Sequence, residues 1–364
     1  MFIINKRVIR NFDWITFCII ITLSLLGLLF IFSSTYTVHQ TYSLFFKKQL
    51  FGILGAIVLF LVCSLIDHRQ LLKLGYFFYF LILLLLVFTM VKGSIGMGAK
   101  RWIHLIFIKV QPSELAKLFF PFFAVYFLKT QKDRFCFSFT DFIPILLILA
   151  LSFFLILKQP DLGTALLLLS SGLLLLWLAG LSKAFFIALF TVTISLTPIY
   201  WKILKPYQKK RVEVFLGYGT KKKERYQIEQ SHISIGSGGL FGKGVLQGTQ
   251  TRLLFLPESR TDFIFSVLCE EIGFFGAFFV ILLYFILFLR MFMTISRISS
   301  PFMQLFALGL ILHIILSTLV NMCMVTGLLP IVGIPLPFMS YGLSNLWITF
   351  IALGCFNSIR IQKR

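Results

Sequence analysis

Long apolar runs separated by short polar breaks organise this chain, and the first of them extends from Ile15 to Phe32. Such runs cross ~30 Å of hydrocarbon as helices, and the strict alternation of a membrane barrel is nowhere seen. Reading runs against breaks predicts helices near 13–33, 50–66, 71–91, 105–128, 142–157, 163–180, 184–201, 263–289, 302–326 and 335–356. The pattern is that of an all-α polytopic membrane protein with about ten transmembrane helices. One connection, residues 202–262, is far longer than the rest and holds most of the polar sequence. It is expected to form a large extracytoplasmic loop between helices 7 and 8, inside a single membrane domain spanning 1–364.

Composition narrows the class further. The chain is 59% hydrophobic and 13% charged, contains 45 Phe and has a mean hydropathy of +0.95, which excludes a water-soluble domain of this size. The basic start followed by a long apolar run reads as a retained first span rather than a cleaved signal. Six cysteines are scattered singly without a CxxC pair, as small packing residues would be.

Charge sets the orientation. Fourteen Lys and Arg fall in one set of alternate short connections and seven in the other, so both termini are expected on the cytoplasmic side. The 202–262 loop adds twelve cations on the outer face, toward a net charge of +21. They are not interleaved with stacking aromatics, so no nucleic-acid partner is expected, and anionic lipid headgroups or a phosphorylated lipid fit better. Lys221 to Lys223 also suit a solvated charge run.

Only thirteen acids are present. Glu114, in QPSELAK, shares a helix face with Lys117 three residues on, which suggests either function or a structural ion pair at the membrane boundary. Asp161, in KQPDLGTA, stands before a helix, where capping and catalysis both remain open. Glu258 and Asp262 flank Arg260 in LPESRTDFIF, where the polar loop meets a span. A carboxylate there can serve as a general base or cap the following helix. Glu270 and Glu271 lie deeper in that span, so one must face protein, water or a partner; neither is assigned to catalysis. IGSGGLFGKG, residues 235–244, lacks the Ser or Thr of a P-loop and the last Gly of GxGxxG, and reads as a tight turn or re-entrant segment. No metal-ligand spacing or Ser/His/Asp pattern stands out, and the five histidines are isolated.

Several blocks together resemble one family. They are KRWIHL (100–105), QPSELAKL (111–118), KQPDLGTA (158–165), QS…IGSGGLFGKG…GTQ (230–249), LPESRTDFIFSVLCEEIGFFG (256–276) and MVTGLLPIVGIPLPFMSYG (324–342). The chain resembles the SEDS proteins (shape, elongation, division and sporulation), and its motif variants look more like the elongation branch than the division branch. The resemblance implies a multi-pass protein of the bacterial cytoplasmic membrane that polymerises lipid II into glycan strands during wall elongation and cell-shape maintenance. Asp262 occupies the position of the family's essential acid, Glu114 and Lys117 match its functional pair, and Arg101 and Asp161 fall in its other motifs. Arg260 stands where His is common.

The implied reaction is an inverting glycosyl transfer. Asp262 accepts the proton of the acceptor GlcNAc 4-hydroxyl as it attacks the MurNAc anomeric carbon, and undecaprenyl pyrophosphate leaves. Arg101, Lys117 or loop cations are candidates to stabilise the leaving group, with a divalent cation as a further candidate cofactor. Glu258 is a supporting neighbour. Implied partners are the nascent strand, a class B penicillin-binding protein transpeptidase and elongation-complex membrane proteins. Two other readings suit many spans with intramembrane charges: a lipid II flippase, and a non-catalytic scaffold of the elongation machinery.

Overall fold

The computed structural model describes residues 10–36, 42–96, 99–105, 108–131, 135–203, 209, 212–214 and 222–362. Several cations of the orientation argument (Lys6, Arg7, Lys132, Arg134, Lys363 and Arg364) and Lys221 of the loop's lysine run lie outside these residues.

The first half contains α1 (Trp14–Thr35), α2 (Leu44–Leu65), α3 (His68–Lys92), a three-stranded antiparallel sheet of β1 (Ser94–Gly96), β2 (Ala99–Leu105) and β3 (Ile108–Val110), then α4 (Pro112–Gln131), α5 (Phe139–Lys158), α6 (Leu162–Leu178), α7 (Lys183–Ser195) and α8 (Thr197–Ile203). The long connection carries α9 (Lys222–Ser237) and α10 (Thr249–Arg252). The chain then returns through α11 (Ile264–Ile295), α12 (Pro301–Val325) and α13 (Leu343–Ile361). A helix stands at each predicted apolar run. Six are long and apolar enough to cross a membrane by length and composition, whereas Leu162–Leu178 and Lys183–Ser195 are shorter.

Short polar side chains start several of these helices. The Thr16 amide donates to Asp13 Oδ1 at 3.2 Å, that of Phe46 to Ser43 Oγ at 3.2 Å, and that of Arg69 to Asp67 Oδ1 at 2.9 Å. Each satisfies an amide that the helix leaves unpaired.

Two predicted boundaries need correction. The run expected as helix from 105 is β-hairpin as far as Val110, and α4 begins only at Pro112, where a proline loses no hydrogen bond at the first helical position. The run expected from 335 is irregular until Leu343, because Pro335 and Pro337 remove donors that a helix there would need.

α12 is the innermost of the long spans, with 61% of its apolar window buried against 28% for α3, α5 and α11. α4, α6, α11 and α13 pack around it, and α2 lies along α13 while α3 lies along α4. The outward faces of α2, α3 and α11 expose Phe51, Phe77 and Phe285, as lipid-facing helices do.

Candidate active site

Asp262 lies at the end of the long connection, immediately before α11. Its backbone and that of the two residues before it are pinned by three donors. Asn321 Nδ2, on α12, donates to the Asp262 carbonyl at 2.9 Å and to the Ile334 carbonyl at 2.8 Å. Ser340 Oγ donates to the Thr261 carbonyl at 2.6 Å, and the Tyr341 amide to the Arg260 carbonyl at 2.9 Å. Three successive peptide carbonyls are therefore held by α12 and the proline-rich loop after it. The Asp262 side chain is half-buried, and a methyl built on Gly333 of that loop would stand 3.6 Å from its Oδ2. The N-cap position of α11 falls on Phe263, with no side-chain cap.

The same loop reaches a second acid. At Gly163, in the first turn of α6, a Cβ would come within 2.5 Å of the Val332 carbonyl, so only glycine lets the two backbones approach this closely. Asp161 caps that helix through the Thr164 amide at 3.4 Å and accepts from Gln111 Nε2 at 2.8 Å and Ser113 Oγ at 3.4 Å. Arg101 joins it, with Nη1 3.6 Å from Asp161 Oδ1, Nε donating to the Gln159 carbonyl at 3.1 Å, and Nη2 donating to the Pro160 carbonyl. Val332–Ile334 thus runs between the Arg101–Asp161 cluster and Asp262, and Asp161 is both a helix cap and an ion-pair partner.

Glu114 and Lys117 form an ion pair of 2.7 Å whose side chains are 7% and 2% exposed. Lys117 is thereby spent inside the bundle, where its charge also faces His313 of α12, a buried ring with no hydrogen-bond partner at either nitrogen among the described residues. Glu258 is exposed, adopts φ +51° and accepts the Thr261 hydroxyl at 3.0 Å.

Two side chains matter more than their sequence suggested. Arg260 lays its guanidinium 3.9 Å from the centre of the Phe45 ring, which itself meets Tyr341 edge-on at 5.3 Å, so a cation is fixed two residues from Asp262. Burial pushes the Tyr341 phenol above its ordinary pKa, with the Arg260 charge partly offsetting it. Glu270 is buried and bound by Lys243 Nζ at 2.8 Å, Thr249 Oγ1 at 3.0 Å and the Gln250 amide at 3.0 Å. It ties the long connection down. Among the described residues no group of three or more His, Cys, Asp or Glu is gathered to hold a metal ion.

The FtsW/RodA/SpoVE family model, described as "Cell cycle protein", matches residues 13–364. The peptidoglycan glycosyltransferase MrdB of Escherichia coli K12 is 36% identical over 332 residues, covering 87% of this chain and 86% of that one. MrdB of Helicobacter pylori 26695 is 36% identical over 354 residues, covering 96% and 90%. The probable peptidoglycan glycosyltransferase FtsW of Geobacter metallireducens is 32% identical, covering 100% and 98%. Among solved structures, a chain of a peptidoglycan synthase complex that coordinates polymerization and crosslinking superposes with a TM-score of 0.80 at 25% identity, covering 96% of this chain and 97% of that one. The rod-shape-determining protein RodA of Thermus thermophilus superposes with a TM-score of 0.72 at 25% identity, covering 97% of both. A match across nearly the whole length, in sequence and in fold, makes this chain a member of the FtsW/RodA/SpoVE family, the SEDS proteins.

Proposed function

We propose that this protein is a peptidoglycan glycosyltransferase of cell-wall elongation, that its substrate is lipid II, and that Asp262 is the general base. The observation that carries the base assignment is the clamping of three successive carbonyls, Arg260 to Asp262, by Asn321, Ser340 and Tyr341. A half-exposed carboxylate on a backbone fixed this way is held for an incoming hydroxyl, and holding the base at the right distance removes part of the cost of orientation. The acceptor hydroxyl gives its proton to Asp262 as its oxygen bonds to the anomeric carbon. The bond from that carbon to the pyrophosphate breaks, with inversion.

The leaving pyrophosphate carries its own charge and needs cations rather than an acid. Arg260, fixed on Phe45, and the exposed edge of Arg101 are the candidates near Asp262 and the 332–334 loop. Lys117 is paired inside the bundle with Glu114 of the same helix, so its charge is already countered and it is not counted among these cations. The partner is a class B penicillin-binding protein, in keeping with the synthase complex that the fold matches. The protein lies in the cytoplasmic membrane, with residues 202–262 forming the extracytoplasmic loop.

Purified protein supplied with lipid II in detergent tests the reading, since a flippase or scaffold would make no polymer there. Wild type should polymerise. Asp262→Asn should lose about 10²–10⁴-fold in rate while still binding lipid II, and Glu258→Gln, an exposed neighbour, should lose far less. Full activity of Asp262→Asn would remove Asp262 from the chemistry.

A further inference from the structure

At the far end of α11 from Asp262, a cleft of about 440 Å³ opens between the start of the chain and its end. Four of its lining side chains are arginines: Arg10, Arg290, Arg297 and Arg360. Asp13 is the carboxylate that meets them. Its Oδ1 accepts from Arg290 Nη2 at 2.7 Å, its Oδ2 pairs with Arg360 Nη1, and Asn357 Oδ1 accepts its amide at 3.3 Å. Desolvation works against the charge of Asp13, but the hydrogen bonds from Thr16 and Arg290 and the charge of Arg360 outweigh it and hold the carboxyl below its ordinary pKa. It stays ionised and cancels one of the four positive charges.

Among the described residues, three formal charges are left without a counter-charge. Arg10 and Arg297 are exposed and pair with no carboxylate among the described residues. Arg290 Nε is buried and finds no acceptor. Structural need accounts for Arg290 and Arg360, which tie α11 and α13 to the start of α1 through Asp13. It does not account for gathering Arg10 and Arg297 around the same hollow, where four like charges repel. Guanidinium groups converging on a concave surface present paired N–H donors that match phosphate oxygens.

The surroundings favour a lipid. Met293 lines the cleft and is 51% exposed, and nearby in sequence Trp14 and Ile15 are 54% and 55% exposed, so apolar surface continues from the arginines toward the bilayer. Asp262 precedes α11, and from the break at Gly273 to Arg290 the helix runs on for 17 positions, roughly 25 Å at the helical rise and so most of the ~30 Å hydrocarbon thickness. The cleft therefore opens at the other membrane surface from the candidate active site.

We infer that this arginine cleft binds the phosphate of an anionic phospholipid at the membrane face carrying the chain termini, a site separate from that of the glycosyl transfer. Phosphate chemistry is common to a lipid headgroup and a soluble phosphate. The apolar flank and the position at the bilayer edge select the headgroup.

Native mass spectrometry of the full-length protein in detergent, titrated with phosphatidylglycerol or phosphatidylcholine, tests this. Wild type should retain phosphatidylglycerol preferentially. R10Q/R297Q, which changes two exposed arginines without a carboxylate partner, should weaken that retention about tenfold or more, as loss of two charge-assisted phosphate contacts implies. R69Q/K73Q removes the same charge from exposed positions on α3 and should leave retention unchanged. Equal retention by wild type and R10Q/R297Q would overturn the site. An equal loss in R69Q/K73Q would reduce it to diffuse surface charge and overturn it as well. In a third arm with inorganic pyrophosphate, displacement of the lipid by tightly bound pyrophosphate would overturn the lipid assignment in favour of a soluble occupant.

Discussion

The Glu114–Lys117 pair shows what one residue can decide in this protein. Both side chains are almost wholly buried, at 2.7 Å from each other, and Glu114 Oε2 finds no further partner. Two charges taken out of water are sustained mainly by each other, so removing one leaves the other uncompensated at a cost of about 3–5 kcal/mol, whereas removing both costs much less. Lys117→Met should therefore lower the thermal unfolding midpoint in detergent more than the double variant Glu114→Gln/Lys117→Met does. A double variant as unstable as the single one would mean that packing, not charge pairing, sets the effect. Asp13 makes the complementary point about legibility. It caps α1 through the Thr16 amide, the role a short acid before an apolar run commonly takes. Its pairing with Arg290, 277 positions away, leaves no mark in local pattern, because only the closed fold brings the two ends of the chain together.

Among the elements, the glycine-rich turn after α9 and the first turns of α11 form one unit. α11 breaks at Gly273, which adopts φ +67°, and the break frees backbone groups on both sides. The Glu270 and Glu271 carbonyls accept from the amides of Lys243 and Gly244 at 3.0 and 2.9 Å, while the Phe274 and Phe275 amides donate to the carbonyls of Gly239 and Leu240 at 2.9 and 3.2 Å. Buried backbone groups released from the helix are thus paired with the turn, and the turn's amides at 243 and 244 are not free to cradle a phosphate. Gly273→Ala should disrupt this unit: its Cβ would stand 2.3 Å from the Gly242 nitrogen, and the backbone there, φ +67° with ψ −162°, is essentially confined to glycine and costs on the order of 1–3 kcal/mol at another residue. Faster tryptic cleavage at Lys243 and Arg252, with lower polymerising activity, is expected, while Gly236→Ala, which meets nothing within 4 Å, should behave as wild type. Turn character was readable in residues 235–244 because glycine density reports backbone freedom. The carbonyls it would meet were not, since the break in α11 is a backbone event inside a run that reads as one span in spite of Glu270 and Glu271. The starts of α4 and α13 were misplaced for a different reason. Apolar content carried the prediction through Pro112, Pro335 and Pro337, which the chemistry of proline marks as boundaries.

At the scale of the whole molecule, apolar run length made the helical membrane fold legible, and the motif blocks pointed to the site, but how Asp262 and Asp161 come to flank one loop required the packed bundle. The fold also bears on orientation. Asp262 precedes the first turn of α11 and Arg290 stands near its other end, with roughly 25 Å of unbroken helix between Gly273 and Arg290, which sets the candidate base and the arginine cleft toward opposite membrane surfaces. The excess of Lys and Arg on the side of the chain ends, fourteen against seven in the short connections, predicts that this side faces the cytoplasm. The twelve cations of residues 202–262 oppose this assignment by number, but a long translocated segment has little weight in setting topology. Reporter fusions decide between the two. A fusion after residue 225 should report from outside the cytoplasmic membrane, and fusions after residues 131 and 364 from within the cytoplasm. A cytoplasmic signal at 225 would place Asp262 on the wrong side of the membrane for glycan assembly, and the general-base reading would fail together with the topology.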